Sequence, residues 1–278
     1  MHIPKLLLTL ALCSFYCAAI AQPRLEKIWE TDSVYAVPES IHFEPQEGIL
    51  YVSLVDGNSF KKDGTGGIAK ADTNGTLLDA AFVAGLDAPK GMAFVGDKIY
   101  VADLENLVIA DKKSGKVLKK IAVPHAGMLN DVVADQKGNI YVSDSKAGKI
   151  YRFTQEEPNV YLDSLINPNG LLWLKDALYY LDNGALYKYK KGGKPVAVAS
   201  NMALGLDGLQ QVGKNTFLAS AWAGMVYFVG PKGNTPLLLD KRAEKANMAD
   251  FYYNAQTKTL YVPTFYRKTI AAYKLMQP

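Results

Sequence analysis

Six times along this chain an anchor dipeptide is followed, ten to twelve residues later, by an aromatic side chain inside a β-rich run. The anchors are Glu39-Ser40, Lys90-Gly91, Asn130-Asp131, Asn169-Gly170, Asp207-Gly208 and Ala249-Asp250, at successive spacings of 51, 40, 39, 38 and 42 residues. The runs that follow, such as Ile99-Tyr100-Val101 and Leu260-Tyr261-Val262, are β-branched and aromatic and are bounded by Gly, Asp, Asn or Lys turns. Each unit offers a third strand, for example Lys149-Ile150-Tyr151-Arg152-Phe153, and a fourth, for example Pro236-Leu237-Leu238-Leu239. Four short strands repeated every forty residues or so are the signature of a propeller. The chain therefore reads as all-β, a six-bladed β-propeller. The sixth unit stops one strand short, after Ile270-Ala271-Ala272-Tyr273-Lys274-Leu275, whereas a spare strand, Leu25-Glu26-Lys27-Ile28-Trp29-Glu30, precedes the first anchor. Placing that strand in the vacancy closes the ring and removes an exposed sheet edge.

Residues 1–21 read differently. Lys5 supplies a positive start, Leu6 to Ile20 is apolar, and Ala19-Ile20-Ala21 is a small-x-small cleavage signal before Gln22. This is the pattern of a secretory signal peptide, too short for a membrane span. Cys13 and Cys17, the only cysteines, lie inside it, and Leu12 and Tyr16 before them do not suit a lipoprotein. The expected division is a signal peptide over 1–21 and a propeller over 22–278, in a secreted or periplasmic protein without disulfides or cysteine chemistry. No later apolar run is long enough for membrane insertion, and a net charge of +4 over 278 residues, with no concentrated Lys/Arg block, argues against nucleic acid. The densest basic stretch, Tyr187-Lys188-Tyr189-Lys190-Lys191, alternates as the solvated face of a strand does.

The innermost strand of every blade runs along the propeller's channel, so equivalent repeat positions converge near the axis. Around the ring the first anchor residues are Glu39, Lys90, Asn130, Asn169, Asp207 and Ala249. Carboxylate and carboxamide oxygens suit a hard divalent cation, Ca²⁺ above all, and the absence of His and Cys from the ring disfavours zinc. Two plainer readings stand beside this one. Asn169-Gly170 and Asp207-Gly208 are turn dipeptides, and polar residues at a channel mouth can simply be solvated.

The motifs Pro38-Glu39-Ser40, Leu129-Asn130-Asp131, Pro168-Asn169-Gly170-Leu171 and Leu206-Asp207-Gly208 resemble the metal-site motifs of the gluconolactonase and regucalcin (senescence marker protein) family. Diisopropylfluorophosphatase shares that architecture. The resemblance covers essentially all of the chain after residue 21. It implies that Glu39, Asn169 and Asp207 bind the metal, with Asn130 beside it as ligand or substrate contact, and that the substrate is a small molecule such as a sugar lactone. The chain departs from the pattern twice. Met128 stands where regucalcin-like sugar lactonases carry an Arg, and Lys90 occupies a ring position. That ammonium could repel a cation, could pair with a substrate anion or an oxyanion, or could turn outward or pair with Glu39.

A bound cation would polarise a lactone carbonyl and orient or acidify a water. Asp207 is the candidate base, or a direct nucleophile, and Lys90 the candidate electrostatic partner. His125 precedes Asn130 by five residues in a loop, where it could serve as a general acid, and His42 falls inside the first inner strand; surface and packing roles respectively are the simpler readings. Asp103, Asp144 and Asp182 follow the second strands at matching phase, as residues that satisfy turn amides do. Trp222, Phe265 and Tyr266 lie past equivalent strands, as core filling or as a pocket wall. Three function classes follow: a divalent-metal-dependent hydrolase of a lactone or related ester, a non-catalytic metal- or small-molecule-binding propeller, and a protein-interaction scaffold. The leader is directly testable. Mass spectrometry of the protein from its native compartment should show Gln22 as the N-terminus, and an intact Met1 in a cytosolic fraction would refute export.

Overall fold

The computed structural model describes residues 22–277; the expected signal peptide, residues 1–21, lies outside them, as does Pro278. The chain forms six four-stranded antiparallel sheets. Five are consecutive in sequence, over residues 38–86, 89–122, 129–162, 171–199 and 206–240, and are blades 1 to 5. The inner strands of neighbouring blades abut one another all the way round, including the sixth against the first. The sequence-based expectation of a six-bladed propeller is met. No helix of the described residues is long and apolar enough to cross a membrane.

The aromatic residue of each repeat explains the period physically. Tyr51, Tyr100, Tyr141, Tyr179, Phe217 and Tyr261 each pack in a seam between adjacent blades, and six such apolar clusters make up most of the core. A blade presents one residue to the seam on its left and the next to the seam on its right, because side chains alternate along a strand. The central strands of each sheet are therefore buried on both faces and read as nearly continuous apolar runs, whereas the outermost strands are largely exposed. His42 belongs to this packing: it stacks on Phe94 of blade 2 with ring centroids 4.0 Å apart and meets Tyr252 edge-on at 5.7 Å. Burial holds its imidazole pKa down to about 4, so it packs as a neutral ring.

Blade 6 is composite, in the order Arg24–Glu30, Ile270–Met276, Thr259–Pro263, Tyr252–Asn254. Its outer strand comes from before the first blade and pairs antiparallel, Arg24 opposite Met276 and Glu30 opposite Ala271, with a bulge between Lys27 and Trp29. The join continues past the strand: Thr31 N–H donates to Ile270 O at 2.9 Å, Ile270 N–H donates to Thr31 Oγ1 at 3.0 Å, and Arg267 pairs with Glu30 at 3.0 Å. Trp29 packs on Tyr261, so the closure is apolar as well as hydrogen-bonded. Without it the Ile270–Met276 strand becomes an open edge. Deleting residues 22–31 should lower the melting temperature and produce oligomers on size-exclusion chromatography; a truncated protein that stays monomeric at an unchanged melting temperature would show that the ring does not depend on this strand.

Candidate functional site

Glu39, Lys90, Asn130 and Asp207 stand where the ladder between the first two strands of their blade is broken, whereas Asn169 directly precedes an unbroken ladder. Register shifts fall between Pro38 and Ser40, Pro89 and Met92, Leu129 and Val132, and Leu206 and Leu209. A bulge re-aims a side chain and leaves local backbone groups unpaired. Three serines of the second strands satisfy those groups: Ser53, Ser143 and Ser220 accept from the N–H of Ser40, Asp131 and Gly208 at 2.9, 2.9 and 2.7 Å. In blade 1 the residue before the bulge, Val37, has φ 55°. A β-branched residue in the left-handed region is strained by about 1–3 kcal/mol and persists only when its surroundings over-determine it.

A second device holds the loops that lead into blades 2, 3 and 4. Asp103 accepts from the N–H groups of Asp87 and Ala88 at 3.0 and 2.7 Å. Asp144 does the same for Gly127 and Met128 at 2.8 and 2.9 Å, and Asp182 for Asn167 at 2.7 Å and Ile166 at 3.2 Å. Each clamp grips the amides three and two residues before a ring residue, so these aspartates position Lys90, Asn130 and Asn169 by holding the backbone behind them. The turn-amide role expected from their phase is what the structure shows.

Glu39, Lys90, Asn130, Asn169 and Asp207 line one cavity of about 360 Å³ at the channel mouth. Ala249, the sixth ring residue, is buried in an apolar cluster with Val37 and Phe265 instead. The turn reading of the glycine motifs is corrected: Asn169 N–H donates to Leu181 O and Leu181 N–H to Gly170 O in ladder fashion, Asp207 and Gly208 lie in the strand Leu206–Gly213, and Gly170 N–H donates to Asp207 O at 2.9 Å. A Cβ on Gly170 would lie 2.1 Å from that oxygen, so glycine is there to let inner strands approach. Nor does Lys90 turn outward. It is 4% exposed, with Nζ 3.9 Å from Glu39 Oε1, an ion pair too long for a hydrogen bond.

Hydrogen bonds orient the two amides. Asn169 Nδ2 donates to Asp207 Oδ1 at 3.1 Å, and Asn130 Nδ2 donates to Ser145 Oγ at 3.1 Å, itself a donor to Pro168 O at 2.7 Å. Two buried acceptors of the cavity wall, Glu39 Oε2 and Asn169 Oδ1, have no hydrogen-bond partner among the described residues. Burial raises the pKa of both carboxyls, Glu39 to about 8 and Asp207 to about 7, against the lowering pull of Lys90.

Beneath the ring lies a second tier that sequence reasoning passed over. Asp131 accepts from Leu171 N–H at 2.5 Å and Val132 N–H at 2.6 Å, and Asp250 accepts from Ser40 Oγ at 2.6 Å. Burial pushes Asp131 up to about 6, and Asp250 well above the usual carboxylate range. Both are the second residue of an anchor pair, so the repeat phase was the available signal. The rim was also missed in part. Ser59 and Phe60 line the cavity from the loop that makes the first repeat spacing longest. Trp222, Phe265 and Tyr266 form a wall of edge-on rings with centroids 6.0, 6.0 and 4.8 Å apart. Trp222 and Tyr266 face the cavity rather than filling core, and Phe265 is held at φ 47° by a turn closed between Thr264 and Thr269. His125 is exposed and does not line the cavity.

Neither a protein-family model nor a curated protein matches the sequence. Solved structures do match the fold. A streptogramin B lyase superposes with a TM-score of 0.67 at 11% identity, covering 91% of this chain and 98% of its own. A protein assigned as a gluconolactonase gives 0.68 at 15% identity, covering 92% and 93%. Luciferin-regenerating enzyme gives 0.64 at 15%, covering 92% and 97%. The resemblance drawn from the motifs is thus matched by a structural relative of gluconolactonase type, and at these identities the likeness carries the architecture alone.

The raised carboxyl pKa values carry a signed consequence. Glu39 and Asp207 bind protons more tightly folded than unfolded, so the stability they contribute is full below their unfolded pKa values near 4 and is lost as the pH rises to 7–8. Denaturation in chelator-containing buffer should show lower stability at pH 8 than at pH 5. Glu39→Gln should flatten that dependence, and stability that climbs with pH in the wild type would contradict the electrostatic picture.

Proposed function

We propose that this propeller is a hydrolase of a lactone or related ester that works with a divalent cation, Ca²⁺ by the chemistry of its donors. The observation that carries the reading is the pair of buried, unpartnered oxygens, Glu39 Oε2 and Asn169 Oδ1, beside Asp207 in one cavity. Buried acceptors without a donor are costly, by about 1–3 kcal/mol each, and a cation is the ligand they fit. Among the described residues no group of three His, Cys, Asp or Glu side chains could hold a metal. Glu39 and Asp207 would therefore hold the ion together with the amide oxygens of Asn169 and Asn130, an all-oxygen set of the kind calcium takes. When bound, the ion supplies Lewis-acid polarisation of the ester carbonyl.

The other roles belong to the chain. Asn169 holds Asp207 Oδ1 and leaves Oδ2 to accept the proton of an attacking water. A carboxylate whose pKa burial has lifted to about 7 is matched to base work at neutral pH. Lys90, fixed among buried groups, offers an ammonium to the negative charge that develops on the carbonyl oxygen. The same Lys90 supports a second reading: 3.9 Å from Glu39, it already supplies positive charge to the ring, which suits a non-catalytic binding propeller.

Calcium titration of the chelated protein separates the readings first. Binding to the folded state alone should raise stability by about 2.7 kcal/mol at a hundredfold excess over Kd, and an unmoved melting temperature would count against the site. On a lactone and ester panel, Asp207→Asn should lower turnover by about 10²–10⁴-fold. Lys90→Met should lower kcat and kcat/KM together if the ammonium serves the transition state. If it only opposes the ion, the variant should bind calcium more tightly and lose no activity. A panel without turnover above buffer, with calcium demonstrably bound, would leave the binding propeller as the function.

A further inference from the structure

The floor and the rim of the mouth differ in kind. Polar atoms concentrate on the ring, whereas the rim is built from Phe60 of blade 1, Met128 before blade 3, Leu206 of blade 5, and Trp222 and Tyr266. Three of these are large hydrophobics left in the open: Phe60 is 69% exposed, Tyr266 62% and Trp222 41%. Scattered exposed hydrophobics need no explanation, but a set gathered round one concavity does. Of the polar residues that share the rim, two are committed to the protein. Ser145 Oγ donates to Pro168 O and accepts from Asn130, and Asn167 Nδ2 donates to Ser145 O at 3.3 Å. A polyhydroxylated ligand would cover this exposed aromatic surface with hydroxyls and gain little from it. An apolar group would instead remove that surface from water.

We infer that the substrate is amphipathic: a lactone or ester whose carbonyl reaches the ring while a hydrophobic alkyl or aryl tail lies against Phe60, Trp222 and Tyr266. This rests on the hydrolase reading for the carbonyl end and on the rim alone for the tail. It replaces the sugar lactone expected from the motif resemblance with a substrate of opposite polarity. Phe60 and Tyr266 are the residues best placed to set specificity, since they are the most exposed of the set and contribute least to packing.

The test uses the full mature protein with calcium and two probe series. One is a set of γ-lactones with tails of increasing length, with glucono-δ-lactone as the polar comparison. The other is the matching γ-lactams, which resist hydrolysis and report binding by calorimetry. Affinity for the lactams, and kcat/KM for the lactones, should rise by about fourfold per added methylene until the rim is covered. Glucono-δ-lactone should be the poorest member. Phe60→Ser and Tyr266→Ser, both at exposed positions, should flatten the rise, and unchanged circular dichroism and melting temperature would show that they fold. Lactams that bind with this tail dependence while no lactone turns over would sink the hydrolase reading and leave the hydrophobic ligand standing. Lactones hydrolysed without tail dependence, or glucono-δ-lactone preferred, would overturn the inference and leave the hydrolase reading intact. A rise unaffected by both serine variants would likewise overturn it.

Discussion

Four carboxyl groups and one ammonium share the centre of this propeller: Glu39, Asp131, Asp207 and Asp250 with Lys90. Like charges out of water are costly, and one Lys cannot balance four acids. Much of the surrounding structure serves to keep those groups where they are despite the cost. Bulged inner strands aim Glu39, Lys90, Asp131 and Asp207 inward, Ser53, Ser143 and Ser220 satisfy backbone groups at the breaks, and the aspartate clamps grip the loops behind. Each support is buried and belongs to a continuous sheet. The ring is therefore preorganised, and a ligand entering it would meet polar groups already in place rather than ones it must gather.

The ring closure and the site are parts of one mechanical arrangement. An inner strand is positioned by its two neighbours, so a gap anywhere would let adjacent anchors drift. Ser40 and Asp250 show the coupling directly, because the Ser40 hydroxyl binds the Asp250 carboxylate while Asp250 N–H donates to Glu39 O at 3.0 Å. Blade 6, completed by residues 24–30, thereby fixes the backbone of a ring carboxylate in blade 1.

The fold was legible because a period of about forty residues is written in seam aromatics, and those residues recur for packing reasons that no tertiary context overrides. Phase alone likewise brought Glu39, Asn130, Asn169 and Asp207 to one place, since a propeller maps equal phase onto equal radius. What was illegible is what depends on two inner strands at once. Gly170 reads as a turn residue in its own sequence, and only the Asp207 carbonyl pressed against it shows that it is a contact. Bulges leave no mark on composition, so the inward aim of Asp131 was hidden although its phase was not, and the Asp250 carboxylate is placed by the Ser40 hydroxyl of another blade. Lys90 had three directions open to it, and its burial beside Glu39 follows from acids on other blades. The rim was half visible: the 51-residue first spacing signalled an insertion without saying that Phe60 would point back over the mouth.

Floor and rim then make a single electrostatic argument. The ring charges are themselves buried beneath this rim, so interactions among them are stronger than they would be in water. That raises the cost of the uncompensated acids, which the protein meets partly with protons, as the lifted carboxyl pKa values show. It equally raises the value of any cation that displaces those protons. Lys90 cannot do so alone, because at 3.9 Å it attracts Glu39 without hydrogen-bonding it, and Glu39 Oε2 and Asn169 Oδ1 stay unpartnered. An apolar tail covering the rim would exclude still more water and strengthen whatever the ring does to the group beneath it. An acidic floor inside a hydrophobic rim suits ligands that bring charge-stabilisable chemistry at one end and an apolar group at the other.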